Sequence, residues 1–413
     1  MNVNLKYGKG YLKVDIPEEN LAGVLKPREI PKLKDESSEI ERAICDPIGS
    51  KRLRDIVQLG DSVAVIVSDI TRSSPSSKLL PPLLNELNRG GVKEEDITVV
   101  FALGIHRRQT EEEKRYLVGP DVYSRVRCVD HDIDDCVDVG TTVDGRTIKV
   151  TRKVASADKI VCTGNIEFHY FAGYSGGSKA ILPGVVSRDL IEENHKMMIS
   201  TDAYSGSKKS PVRREMDEVG GIVGIDFILN VVLNPKKEVI GAVAGDYISA
   251  HKRGIEMVDD IYRVPAVLSD IVITCPGGDP KDIDLCQAQK ALDNARYAVK
   301  EGGSIILVAR CHEGYGMGVF GRWMDEAKSP EDIITRFHSK FELGGHRAAA
   351  IALLRRKADL YLVSDMPDER VKNIFMIPEE SVEDALGHAL EKHGKDASVL
   401  VMPHGGLTLP YVK

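Results

Sequence analysis

The chain has 413 residues, 42% of them hydrophobic and 29% charged, and a formal net charge of −7. That length exceeds one compact core and fits two domains of ordinary size, and the composition is that of a soluble globular protein. The negative balance argues against nucleic acid or an anionic membrane as partner, since the densest basic run, KPREIPKLK at 26–34, is broken by Glu29.

The opening MNVNLKYGKGYLKVDIP alternates in polarity, has no apolar leader core and reads as a first strand rather than a signal peptide. VAVIVSD (63–69), ITVVFAL (97–103), KIVCTG (159–164) and FILNVVL (227–233) read as buried strands, because a covered parallel sheet needs near-continuous apolar runs. Each is followed by a polar or glycine-bearing loop and then a helix candidate such as 75–89, so the class is α/β. The pattern restarts after 265 with DIVITC (270–275), a helix near 285–300, GSIILVA (303–309), ADLYLVSD (358–365) and ASVLVM (397–402). These four strands predict a second, smaller Rossmann-like sheet. The expected domains are therefore 1–265 and 266–395, with the tail 396–413 free to pack back on the first. No apolar stretch approaches the roughly 20 residues that cross a bilayer. Seven scattered cysteines, odd in number and without CxxC spacing, suit a reducing cytoplasm rather than a disulfide framework or a zinc ribbon.

In open α/β sheets, ligands collect where the carboxyl ends of strands meet loops. Three strands here deliver SDITR (68–72), GIHRR (104–108) and GNIEFHYFAGYSGGSK (164–179) to such places. In the last, Gly173, Gly176 and Gly177 allow close backbone approach, and a helix starting near Ser175 or Ser178 would aim N–H groups at an anion such as a phosphate. It is not a P-loop, because Ser178 separates Gly177 from Lys179. A bare glycine turn is more often structural; the neighbouring His, Tyr, Ser and Lys shift the balance toward a ligand. Lys179 would by default be a surface lysine, and desolvated it becomes an amine nucleophile or covalent anchor.

Of eleven histidines, His388 and His393 fall on a late helix, and His251, His312 and His338 lack partners nearby in sequence. His106, His169 and His195 each lie in or just after a loop at the expected edge. No HExxH or similar spacing marks a zinc site. Three histidines converging there suggest two acid–base groups plus an imidazole suited to nickel. Asp69-Ile70-Thr71-Arg72 adds a carboxylate, a hydroxyl and a guanidinium whose fork grips carboxylate or phosphate; the bland account of Asp69 is a helix cap. In the second domain Gln287 and Lys290 are three apart, hence on one helical face, which is either solvated or turned to a substrate carboxylate.

Together DITR, GIHR, HYFAGYSGGSK with PG beyond it, NH at 194–195 and PKDIDLCQAQKALD resemble the nickel-dependent lactate racemase family over nearly the whole chain. The resemblance implies two α/β domains with cofactor and substrate in the cleft between them. It implies a nickel-pincer nucleotide, a pyridinium mononucleotide whose two sulfur-bearing arms grip nickel, supplied by separate cofactor-synthesis proteins. Lys179 would carry the covalent thioamide link and His195 would be the nickel ligand. Asp69, Ile70, Thr71 and Arg72, with Ser175, Gly176 and Gly177, would line the cofactor, and Arg72, Gln287 and Lys290 would contact substrate. His106 and His169 would be the acid–base pair in a racemisation by hydride transfer through a planar 2-keto acid.

The chain departs from lactate-acting members at Cys286, where they carry tyrosine, and at GGHR (344–347), where a tryptophan-bearing stretch is expected. Lost bulk, with His346 and Arg347 gained, points to a longer, hydroxylated or dicarboxylic 2-hydroxy acid, a sugar acid included. Cys286 is otherwise a small packing residue. Two other readings stay open: a nickel or cofactor carrier without turnover, and a conventional nucleotide-dependent enzyme using the glycine loop.

Overall fold

The computed structural model describes every residue except Lys32, Met317, Lys340, Leu343 and Lys413. The chain divides into two units, residues 30–259 and residues 1–29 together with 260–413. Each is built on a six-stranded sheet. In chain order the strands are β1 (Leu21–Val24), β2 (Val63–Ser68), β3 (Ile97–Ala102), β4 (Arg127–Asp130), β5 (Lys159–Asn165) and β6 (Phe227–Leu233). They continue with β7 (Val239–Gly245), β8 (Ser269–Thr274), β9 (Val299–Val308), β10 (Asp359–Val363), β11 (Ile377–Glu379) and β12 (Val399–Met402). The helices that matter below are α1 (Ser76–Arg89), α2 (Arg188–Lys196), α3 (Pro211–Val223), α4 (Ser249–Tyr262), α5 (Leu285–Ala295) and α6 (Gly345–Lys357).

In the 30–259 unit the sheet order is β7-β6-β5-β2-β3-β4, parallel except for the β6–β7 hairpin. β2 and β6 are apolar along nearly their whole length because helices cover both faces. α1 shows how: Leu79, Leu80, Leu83, Leu84 and Leu87 recur at helical spacing and are buried in one cluster with Val63, Val65, Val67 and Val99. Each such leucine contributes about 1.5–3 kcal/mol.

The other unit orders its sheet β11-β10-β9-β8-β12-β1, all parallel. Here the structure corrects the expected domain boundaries. Residues 1–29 belong with the C-terminal residues, since Leu21 pairs with Val399 and the hairpin side chains Leu5, Val14 and Ile16 are buried with Ile271, Ile273 and Ile306. The tail stays in the same unit: Leu409–Val412 pairs with Arg263–Ala266. The sheet has six strands rather than four, because β1 arrives from the far end of the chain and β11 is only three residues long. Among the described residues no helix is long and apolar enough to cross a membrane.

Candidate active site

β5, β2 and β3 are adjacent and parallel, with Val63 opposite both Ile97 and Lys159. Their carboxyl ends therefore stand side by side, and the loops beginning at Asp69, Leu103 and Ile166 share one edge, as the sequence predicts. His131, unremarked in the sequence, follows β4 at the same edge.

Asp69 is 2% exposed. Burial raises its carboxyl, but hydrogen bonds from His106 and Thr71 and the charge of Arg72 outweigh that and hold it down at about 2. Oδ1 accepts from the Thr71 backbone N–H at 3.0 Å and from the Thr71 hydroxyl at 2.6 Å. Oδ2 faces His106 Nδ1 in a short contact. An ionised carboxylate only accepts, so His106 holds its proton at Nδ1 and the lone pair of the neutral ring is left on Nε2. The Asp69 carboxylate thus serves His106 and Thr71. The Ile70 N–H donates to Gln109 Oε1 at 2.9 Å, which makes Gln109 a support of this turn that sequence reasoning missed. Thr71 and Arg72 are exposed.

His169 lies in a two-residue ladder that pairs it with Gly173. Its Nδ1 accepts from the Ala172 N–H at 3.3 Å, so in the neutral ring the proton is on Nε2. Phe171 packs edge-on to His169 at 4.6 Å and to His195 at 4.9 Å, so one buried ring spaces the two imidazoles. His195, in the last turn of α2, is buried. Burial first, then the nearby Lys179 ammonium, push it down to about 3, against a smaller pull from the Ile191 carbonyl. Its Nδ1 is buried without a hydrogen bond of normal geometry. Lys179 and His195, sixteen positions apart in sequence, are therefore neighbours, and His195 is a neutral imidazole, the kind of donor a borderline-soft metal takes. Among the described residues no three His, Cys, Asp or Glu side chains group to hold a metal by themselves.

The glycine loop differs from expectation. No helix starts at Ser175 or Ser178; a single 3-10 turn, Gly177–Ala180, carries Lys179. Three glycines within five residues keep the chain from helical φ: Gly173, Gly176 and Gly177 sit at +79°, +78° and +58°. The Ser175 hydroxyl accepts from the Glu167 N–H and donates to the Asn165 carbonyl, both at 2.9 Å. The Gly177 N–H donates to Asn230 Oδ1 at 2.7 Å. These groups hold the loop from within. Asn230 carries a readable signal, being the one polar residue in FILNVVL.

In the other unit, Gln287 and Lys290 are half-buried on α5, whose first turn is capped by Asp284 accepting from the Gln287 N–H at 2.7 Å. Cys286 is buried; burial raises its thiol, and Arg347 and Lys290 oppose that. Arg347 Nη1 donates to the Cys286 carbonyl at 2.7 Å, which places Arg347 against the first turn of α5. His346 is not available beside it. It is 4% exposed, accepts from the Gly344 N–H at 3.0 Å and stacks on Phe341. Trp323 lies so close that a Cβ on Gly345 would stand 2.5 Å from its ring.

Two family models match the chain, the lactate racemase N-terminal domain over residues 7–206 and the lactate racemase C-terminal domain over 264–408. Lactate racemase of Thermoanaerobacterium thermosaccharolyticum is 33% identical, and that of Lactiplantibacillus plantarum 31%, each match covering 98% of both chains. The structure of the Thermoanaerobacterium lactate racemase apoprotein superposes with a TM-score of 0.94 at 32% identity, covering 99% of this chain and 100% of that one. A Thermotoga maritima protein shares the fold with a TM-score of 0.69 at 19% identity over 91% of this chain and 98% of its own. With one family spanning both halves and full-length relatives above 30% identity, the chain is an isomerase that belongs to the lactate racemase family.

Proposed function

We propose that the chain racemises or epimerises a 2-hydroxy acid other than lactate, with a nickel-pincer nucleotide anchored on Lys179 and His195 as nickel ligand. The observation that carries this reading is the neutral, buried His195, its Nδ1 without a hydrogen bond of normal geometry, beside the Lys179 amine. An ammonium there repels a metal dication, and converting the amine to a neutral thioamide removes that repulsion. The donor set thus fits the group that the resemblance implies. When bound, that group supplies the hydride chemistry that no side chain offers.

The protein's own part is proton handling and orientation. His106, its proton fixed on Nδ1 by Asp69, presents Nε2 as a base for the substrate hydroxyl. His169, its Nδ1 occupied by the Ala172 N–H, presents Nε2–H as a hydrogen-bond donor to the substrate oxygen, and the proton that His106 takes up as an imidazolium is the one returned to that oxygen. Two neutral histidines in opposite tautomers suit a substrate oxygen that loses its proton to one ring and is held by the N–H of the other. A carrier without turnover has no use for such a pair. Arg72, Gln287 and Lys290 are the proposed carboxylate contacts. The small Cys286 with Arg347 at its carbonyl supports a longer, hydroxylated or dicarboxylic substrate. The seven free cysteines support a reducing cytoplasm as its location.

Intact mass and metal analysis of protein co-produced with the cofactor-synthesis proteins tests the reading. A mononucleotide-sized adduct should appear and vanish in Lys179→Ala, while His195→Ala should keep the adduct and lose nickel. An unmodified wild-type chain overturns it. In a panel of 2-hydroxy acids, lactate turned over fastest would sink the substrate proposal alone.

A further inference from the structure

His251, without a partner nearby in sequence, lies at the centre of a buried network beneath the glycine loop. It is 4% exposed on α4, facing Arg213 of α3, which is 8% exposed. Arg213 Nη2 stands 3.1 Å from His251 Nδ1. A guanidinium can only donate, so Nδ1 accepts, the ring is neutral and its proton is on Nε2. That Nε2–H donates to the Ser175 carbonyl at 2.8 Å. Arg213 Nη1 donates to the next carbonyl, that of Gly176, at 2.9 Å, and Nη2 lies 2.9 Å from Asp217 Oδ1. Asn230 takes the Gly177 N–H, and the Ser178 hydroxyl donates to Asp217 Oδ1.

Four consecutive residues, 175–178, are therefore each held by a side chain from β6, α3 or α4, buried in all but the half-buried Asp217. The grip holds two successive carbonyls through Arg213 and His251, at a bend where Gly176 and Gly177 sit at positive φ. The Gly176 carbonyl also accepts the Lys179 N–H at 3.2 Å, so the group that Arg213 grips is the one that fixes the backbone of Lys179. There is no room for slack: a Cβ on Gly177 would stand 2.6 Å from Arg213 Nη2 and 3.0 Å from His251 Cγ.

We infer that Arg213 and His251, supported by Asn230 and Asp217, are positioning residues that set the Lys179 amine beside His195. The inference rests on the reading of Lys179 as anchor, and it assigns these four residues a role in loading rather than in the chemical step. His251→Leu removes both bonds of the ring. His251→Gln keeps an N–H near the place of Nε2. Arg213→Lys keeps the charge and loses the fork.

The readout is acylation of Lys179 by an amine-directed reagent as a function of pH, followed by peptide mass on the full chain well below its melting point. Lys196, exposed on α2, serves as internal control. His251→Leu and Arg213→Lys should change the Lys179 rate roughly tenfold, about the worth of one hydrogen bond, and shift its pH profile. His251→Gln should restore both, and Lys196 should not respond. A loss of stability alone would not separate the two lysines. If either variant that folds leaves the Lys179 rate and profile as in wild type, the clamp is refuted. A changed Lys179 profile in a protein that never acquires the nucleotide adduct would refute the anchor reading and leave the clamp standing.

Discussion

A carboxyl group as buried as Asp69 would ordinarily take up a proton, because burial disfavours its charge. Here two Thr71 donors, the His106 N–H and the Arg72 charge reverse that preference, and the group stays ionised down to about pH 2. Its value to the site is the proton position it imposes on His106. Asp69→Asn leaves a side chain of the same shape that no longer dictates that position, so kcat should fall roughly 10²–10⁴-fold with a smaller change in KM. Steady-state kinetics in both directions measure this, and a kcat within a factor of about two of wild type would end the proposed role. Since Asp69 is ionised at any working pH, the acid limb of the rate profile should be the same in Thr71→Val, and a limb displaced in that variant would contradict the assignment. The sequence made DITR and GIHR visible as separate clusters. It did not reveal that Asp69 belongs to His106, because the two lie 37 positions apart and meet only when β2 and β3 pair.

At the scale of elements, what could be read from sequence was whatever repeats locally. The strands at 63, 97, 159 and 227 stand out because both their faces are covered, and α1 stands out because its leucines return every three or four residues. The helix expected at Ser175 fails for an equally local reason, the glycine conformations, which turn the chain before a second helical turn forms. β1 was not legible, since its partner β12 lies at the other end of the chain and four residues of LAGV carry no periodicity. The packing role of α1 can be measured. Leu83 is fully buried among sheet valines, and Leu83→Ala should cost roughly 2–5 kcal/mol in urea unfolding with an unchanged m-value. A loss below about 0.5 kcal/mol, the level of an ordinary surface substitution, would mean that α1 is not a core element.

For the molecule as a whole, the site's demand for neutral imidazoles makes the 30–259 unit sensitive to acid. Burial pushes His131 down to about 4, against a weaker pull from Asp132. Burial and the Arg213 charge push His251 well below its ordinary value, and a proton on its Nδ1 would destroy the bond from Arg213. Neither buried nitrogen of His131 makes a hydrogen bond of normal geometry, so burial outweighs the pull of Asp132 and the Val186 backbone. In the unfolded chain both rings titrate near 6.5, so below that pH the unfolded state binds protons that the folded state refuses. The contribution of these histidines is therefore complete above about pH 6.5 and is lost as pH falls, for His131 down to about 4. Each can remove up to about 1.4 kcal/mol per pH unit across that window. Urea midpoints recorded on protein without cofactor should hold from about pH 7.5 to about pH 6.5 and fall from there to about pH 5. His131→Phe, which cannot take up a proton, should flatten part of that slope whatever it does to stability at neutral pH. The account fails if the midpoint holds constant over this range, or if His131→Phe reproduces the wild-type slope in full.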